Sequence, residues 1–198
     1  NRDYNHTCIV AWTPLNESGG VQEIKVDLRQ QAHANAMVYI TKSLDPTRPV
    51  ISNDGWEHTS SDLVTIHDYS SSGELLRKHL ADLDSILAMN PGGRCLFADG
   101  YSYLGQPILV TEYGGVKYAP ETELKRSWGY TVEKDLDAYT KKYAELARAV
   151  QEAPQVQGYC YTQLTDVENE ENGLLTYHRE IKIPLETIRA INEGNWEE

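Results

Sequence analysis

Hydrophobic positions along the chain fall into two alternating kinds of run. Short β-branched and apolar stretches at 8–12, 49–52, 63–67, 108–111 and 157–162 show little strict polar alternation, the pattern of strands covered on both faces. Between them, apolar residues recur at helical spacing: Ala36, Ile40 and Leu44; Leu76, Leu80, Leu83 and Leu87; Leu136, Tyr139, Tyr143, Leu146 and Val150; and Leu185, Ile188 and Ile191 behind Pro184. Each set predicts one amphipathic helix, the last with proline in its first turn. The order is therefore β-α repeated. One connection departs from it, because Asn53 to Asp62 is too polar and too short for a full crossover helix. Alternating strands and helices imply a parallel sheet with right-handed crossovers, either doubly wound or part of an eight-stranded barrel.

Composition narrows this picture. At 198 residues and 40% hydrophobic, the chain reads as one globular domain spanning 1–198. A net charge of −12, from 30 acidic and 18 basic residues, argues against a nucleic-acid partner, which needs a basic stripe. No apolar run approaches the roughly 18 residues that span a bilayer, so no membrane partner is expected. Cys8, Cys95 and Cys160 lie in or beside apolar stretches, which favours reduced, buried thiols over a disulfide framework. Gly19-Gly20 and Pro91-Gly92-Gly93 lack the spacing of a phosphate loop and read as turns. The six histidines contain no His-x-His or His-x-x-x-His pair, so a metal-dependent hydrolase ranks low and no cofactor is expected.

Chemistry enters through two carboxylates. Glu17 follows the first strand run in Ala11-Trp12-Thr13-Pro14-Leu15-Asn16-Glu17-Ser18, and Glu112 follows the fourth in Pro107-Ile108-Leu109-Val110-Thr111-Glu112-Tyr113-Gly114-Gly115. Either alone is an ordinary loop acid. In a parallel α/β array, however, strand C-termini open onto one face, and two glutamates there read as a sugar-cleaving pair.

At these residues the chain resembles glycoside hydrolase family 2, the beta-galactosidase and beta-glucuronidase group. The resemblance rests on an ordered set: Asn16-Glu17, then Leu44-Asp45-Pro46-Thr47-Arg48-Pro49, His67-Asp68-Tyr69, Thr111-Glu112-Tyr113-Gly114-Gly115, and 158–167. It implies a partial TIM (β/α)8 barrel, strands four to eight with their helices, cut from a barrel of about 250 residues. Strands one to three would then lie outside the chain, and open barrel edges would favour a homo-oligomer that covers them.

The resemblance also implies a mechanism. Glu17 is the expected acid/base and Glu112 the nucleophile of a retaining double displacement, which needs their carboxyls about 5 to 5.5 Å apart. Glu17 must hold a proton near neutrality, while Glu112 must be ionised. Tyr69 is the expected donor to Glu112, and Asn16 the ligand of the sugar 2-hydroxyl. His67 orients the sugar or the nucleophile, or else is a hydrogen-bonded core histidine. Trp56 offers a stacking face or plugs the barrel mouth.

Departures from the family bear on substrate. Glucuronide-specific relatives carry Asn-x-Lys where this chain has Glu170-Glu171-Asn172, an acidic run without the cation a uronic acid needs. A neutral sugar, most simply a β-galactoside, is therefore the expected carbohydrate substrate. Gly19-Gly20 stands where many relatives carry an aromatic residue, and Thr162 replaces a frequent tryptophan, which leaves Trp56 or Trp128 to supply a stacking surface. Asn16-Glu17-Ser18 also matches the glycan-acceptor pattern, and a glycan there would block the site, so a cytoplasmic, bacterial-type location is expected. The competing reading is a non-catalytic carbohydrate-binding or assembly module on the same scaffold.

Overall fold

The computed structural model describes residues 2–119 and 128–195. Its elements, in chain order, are α1 (Leu28–Leu44), β1 (Val64–Asp68), α2 (Gly73–His79), α3 (Leu83–Leu87), β2 (Ile108–Gly114), β3 (Val116–Tyr118), β4 (Thr131–Glu133), α4 (Leu136–Gln151), β5 (Val156–Thr162) and α5 (Leu185–Asn192). The chain divides into two compact units, Asn1–His67 with Ile86–Thr111, and Asp68–Ser85 with Glu112–Glu198. No helix among the described residues is long and apolar enough to cross a membrane.

In the first unit, the runs predicted as strands at 8–12 and 49–52 pair through a single parallel bridge, Trp12 with Val50. Pro14 and Pro49 remove backbone donors beside that bridge, so a longer ladder does not form. A second parallel bridge joins Asn16 to Asp54. The helix α1 begins well before Ala36, because the Asp27 carboxylate accepts from Arg29 N and caps it. Gln31, Ala34 and Val38 form its buried face, and Ala34 joins Val21, Ile24 and Leu15 in a small core. All of β1 is buried, so its polar groups need partners: Thr65 N–H, for one, donates to His58 Nε2 at 3.0 Å.

The second unit is organised around α4, capped by Asp135, whose side chain accepts from Ala138 N. Its buried stripe includes Tyr139, Tyr143, Leu146 and Val150; removing one such ring costs about 3–5 kcal/mol. Tyr143 donates to Asn192 Oδ1 at 2.7 Å, tying α4 to α5. Gly73 opens α2, and a Cβ there would meet Glu145 O at 2.6 Å, so α2 approaches α4 only through glycine. The predicted helix from Leu76 to Leu87 is two helices, since Leu80 closes α2 and Asp82 accepts from Ser85 N at 2.7 Å to start the next. The parallel pair β3 and β4, in register Val116 with Thr131 and Tyr118 with Glu133, is an addition to the predicted elements. Strand β5 is half exposed along much of its length. The expected burial of the cysteines is corrected: Cys8 and Cys160 are exposed and Cys95 is intermediate, because the first lies in an irregular entry segment and the second on the open strand β5.

Candidate active site

In the first unit, Glu17 and Ser18 are consecutive left-handed residues, with φ of 52° and 57°. Such a conformation costs a non-glycine residue of order 1 kcal/mol or more. It is held from the segment after Val50. Glu17 N–H donates to Asp54 O at 3.0 Å, Ser18 N–H to Asn53 Oδ1 at 2.9 Å, and Ser18 Oγ to Glu57 Oε2 at 2.6 Å. Asn53 Nδ2 returns a bond to Ser18 Oγ at 3.0 Å. Glu57, 2% exposed, is paired with Arg94 Nη1 at 2.9 Å. A buried carboxylate without that cation would be strongly destabilising, so the Arg94 pair keeps the whole clamp in place.

The Glu17 side chain, 37% exposed, lies 2.7 Å from His67 Nδ1. The other ring nitrogen of His67 stands 3.5 Å from Asp54 Oδ1, which also accepts from Thr111 Oγ1 at 2.6 Å. Burial raises the Asp54 carboxyl, but hydrogen bonds from His67, Thr111 and Thr65 outweigh it and hold the group below the usual carboxylate range. Gly55 makes room for this line: a Cβ there would sit 2.7 Å from the His67 ring, and its φ is +95°. Trp56 is half-buried and meets His67 edge-on, centroids 5.6 Å apart, with its far edge against Gly92. Asn16 is exposed beside the Asp54 bridge.

In the second unit, Glu112 lies on β2 next to Tyr113, which is fully buried. Strand alternation therefore turns Glu112 away from the tyrosine core formed by Tyr113, Tyr159 and Tyr161. Tyr69 Oη donates to Glu112 Oε2. Burial, then that hydrogen bond, raises the Tyr69 phenol far above its ordinary value, so it is a proton donor at any working pH. Its ring is covered by Tyr130, centroids 3.5 Å apart and 6° from parallel.

The acidic run is only partly solvated. Asn172 is fully buried and donates to Glu170 Oε1 at 3.1 Å. Asp166 pairs with Lys182 at 2.7 Å, both nearly buried, and Lys117, also buried, stands 3.6 Å from Glu171. These carboxylates are thus matched by buried lysines within the unit.

Sequence reasoning singled out Glu17, Glu112, His67 and Tyr69 but missed Asn53, Asp54, Glu57 and Arg94. The only signal was the turn-like Asn53-Asp54-Gly55, which marks a bend without revealing what its side chains hold.

The chain is thus a mixed α/β protein in which the carboxylates of Glu17 and Glu112 are each met by a specific partner. The family model described as "Glycosyl hydrolases family 2, TIM barrel domain" matches residues 1–192, and the chain belongs to that family. Its elements form part of a (β/α)8 barrel. Among solved structures, it is similar to a GH2 beta-galacturonidase from Eisenbergiella tayi bound to galacturonate, at 17% identity and TM-score 0.67, over 98% of this chain and 35% of that one. It is also similar to a Bifidobacterium dentium beta-glucuronidase complexed with coumarin-3-O-glucuronide, at 20% identity and TM-score 0.63, over 97% and 31%. A beta-D-glucuronidase from Dictyoglomus thermophilum matches at 16% identity and TM-score 0.64, over 97% and 32%. The chain spans about a third of the length of these structures, and at such identities the likeness establishes the fold alone. No curated protein matches.

Proposed function

We propose that the chain, as one domain, carries the acid/base and the nucleophile of a retaining β-glycosidase. Glu112 attacks the anomeric carbon while Glu17 protonates the departing oxygen; a water deprotonated by Glu17 then releases the sugar from Glu112. The observation that carries this reading is the Tyr69 hydroxyl donating to Glu112, which favours the ionised carboxylate a nucleophile must be. His67 suits the complementary task. Asp54 stands beside its Nε2 and the Glu17 carboxyl beside its Nδ1, so the ring fixes the orientation of the proposed acid. Asn16 is the proposed ligand of the sugar 2-hydroxyl, and Trp56 supports His67 from its edge.

The substrate we infer is a neutral sugar, most simply a β-galactoside. Supporting it, the position where a uronate-binding lysine is expected is Asn172, already bonded to Glu170, and the nearby buried lysines face Asp166 and Glu171. A uronide, the substrate class in the names of the similar structures, would need Lys117 to leave Glu171. Steady-state kinetics of the full-length protein on matched aryl β-galactosides and β-glucuronides decide between them. A galactoside preference of at least tenfold is expected; the reverse preference would overturn the substrate reading while keeping the mechanism.

Association of copies through exposed apolar side chains is proposed as well. Val10, Leu28 and Leu44 are each about three-quarters exposed, an apolar exposure that association would relieve. A monomer in sedimentation at micromolar concentration would contradict it.

A further inference from the structure

In the second unit Tyr113, Tyr139 and Tyr143 are core residues, at most 1% exposed. Other aromatic rings are open, Tyr159 at 39% and Tyr177 at 59% among them. Trp128 and Tyr130 are 44% and 45% exposed, and both are fixed in place. Tyr130 N–H donates to Gly115 O at 2.9 Å, Trp128 N–H to Asn169 O at 2.9 Å, and Glu171 N–H to Trp128 O at 3.2 Å. The rings meet edge to face, centroids 5.0 Å apart and 75° between planes, while Tyr130 lies flat on Tyr69.

Glycines shape this arrangement. A Cβ at Gly115, whose φ is +61°, would fall 2.3 Å from Tyr130 Cδ2 and 3.0 Å from Tyr69 Cδ1. One at Gly129 would fall 2.6 Å from Lys117 Cβ. Gly115 directly before β3 and Gly129 two residues before β4 thus allow Tyr130 to rest on Tyr69 while Trp128 stays open beside it. The rim is acidic and polar: Asn169 and Glu168 are exposed, and the Glu171 side chain is 41% exposed.

We propose that Trp128 and Tyr130 form a stacking shelf for a neutral sugar ring on the leaving-group side of the scissile bond, a site that rests on the glycosidase reading above. Pyranose rings present C–H faces that dock on aromatic surfaces, and their hydroxyls radiate to a polar rim. The acidic rim repels a uronate and accepts from hydroxyls. Position selects the leaving-group side. The cleaved ring must reach Glu112, the partner of Tyr69, whereas Trp128 is removed from Tyr69 by the whole Tyr130 ring. The ring Trp128 fits is thus the neighbour of the one being cleaved.

The test compares two substrates in the full-length protein: lactose, which fills both positions, and β-galactosyl fluoride, whose leaving group is a single atom. Trp128→Ala should lower kcat/KM for lactose by roughly 5- to 10-fold per stacking ring lost, mainly through KM, with the fluoride within twofold of wild type. Trp128→Phe should restore part of the loss, which a purely structural role would not separate by substrate. Equal losses on both substrates, or an unchanged lactose KM, would overturn the shelf. If wild type cleaves neither, the galactosidase reading fails on its own. The same variants are then compared by calorimetric titration of cellobiose: weaker binding in Trp128→Ala keeps the shelf, and unchanged or absent binding rejects it.

Discussion

The two proposed catalytic carboxylates are held by opposite means. In the first unit, Glu17 rides on a left-handed turn outside any regular element, and buried polar groups from the 53–58 segment and Arg94 fix its backbone. In the second, Glu112 is a residue of a regular strand, positioned by the strand ladder and met by Tyr69. The acid's position therefore depends on a network that is also needed for stability. The nucleophile's position comes with the fold, and its partner is separable from it. Substitutions around Glu17 should couple activity to stability, whereas substitutions around Glu112 should uncouple them.

The largest effect tests the nucleophile itself. Glu112→Gly should reduce turnover by roughly 10⁴- to 10⁶-fold with little change in Tm, read by steady-state kinetics and calorimetry. Glu17→Ala should lose on the order of 10²- to 10⁴-fold on substrates with poor leaving groups and far less on activated aryl glycosides. Equal losses on both kinds would remove Glu17 as the acid. Next come the partners, where the contrast is sharpest. Tyr69→Phe deletes one hydrogen bond to a charged group, worth about 1.5–3 kcal/mol, and should lower kcat by roughly 10- to 100-fold at unchanged Tm. Asn53→Ala leaves Ser18 N–H without its acceptor and Ser18 Oγ with Glu57 but not the amide donor, and should destabilise by about 1–3 kcal/mol, lowering Tm and acid-dependent turnover together. A stable Asn53→Ala variant with wild-type leaving-group dependence would break the comparison.

The last effect is on stability alone and is read through pH. His58, fully buried, has its pKa lowered to about 4 by desolvation, whereas an unfolded histidine titrates near 6.5. Between those values the unfolded chain binds the extra proton, so stability is complete above about pH 6.5 and falls as pH drops toward 4, by at most about 1.4 kcal/mol per pH unit. Denaturant titrations of wild type and His58→Gln across that window should show the slope only in the former. Asp54 acts lower: its depressed pKa gives stability that is present above the ordinary carboxylate range and lost only in stronger acid.

What was legible in the sequence follows the same division. The helix α4 was readable because burial imposes a period on residues that are consecutive in the chain, and the 108–111 part of β2 because it is a short apolar run; that β2 continues through Glu112 was not readable. The glycoside hydrolase family resemblance came from short local motifs such as Asn16-Glu17 and Thr111-Glu112-Tyr113. The clamp on Glu17 was not legible, because it joins Ser18 to Asn53, Glu57 and Arg94 across long separations and no local spacing records such bonds. The pair β3 and β4 was hidden for a related reason: three-residue strands are too short to show an alternation. Of the three cysteines expected in the core, Cys160 was misjudged because an apolar run reports a strand but not which of its faces is covered, and Cys8 because its apolar run forms an irregular segment.

Reaction with a 2-deoxy-2-fluoro-β-galactoside bearing an activated leaving group, followed by peptide mass spectrometry of the full-length protein, tests the central claim most directly. Turnover should stop at the glycosyl-enzyme, with one sugar attached through an ester to Glu112. A label on another residue, or continued turnover with inversion at the anomeric carbon and no label at all, would contradict the assignment of Glu112 as nucleophile.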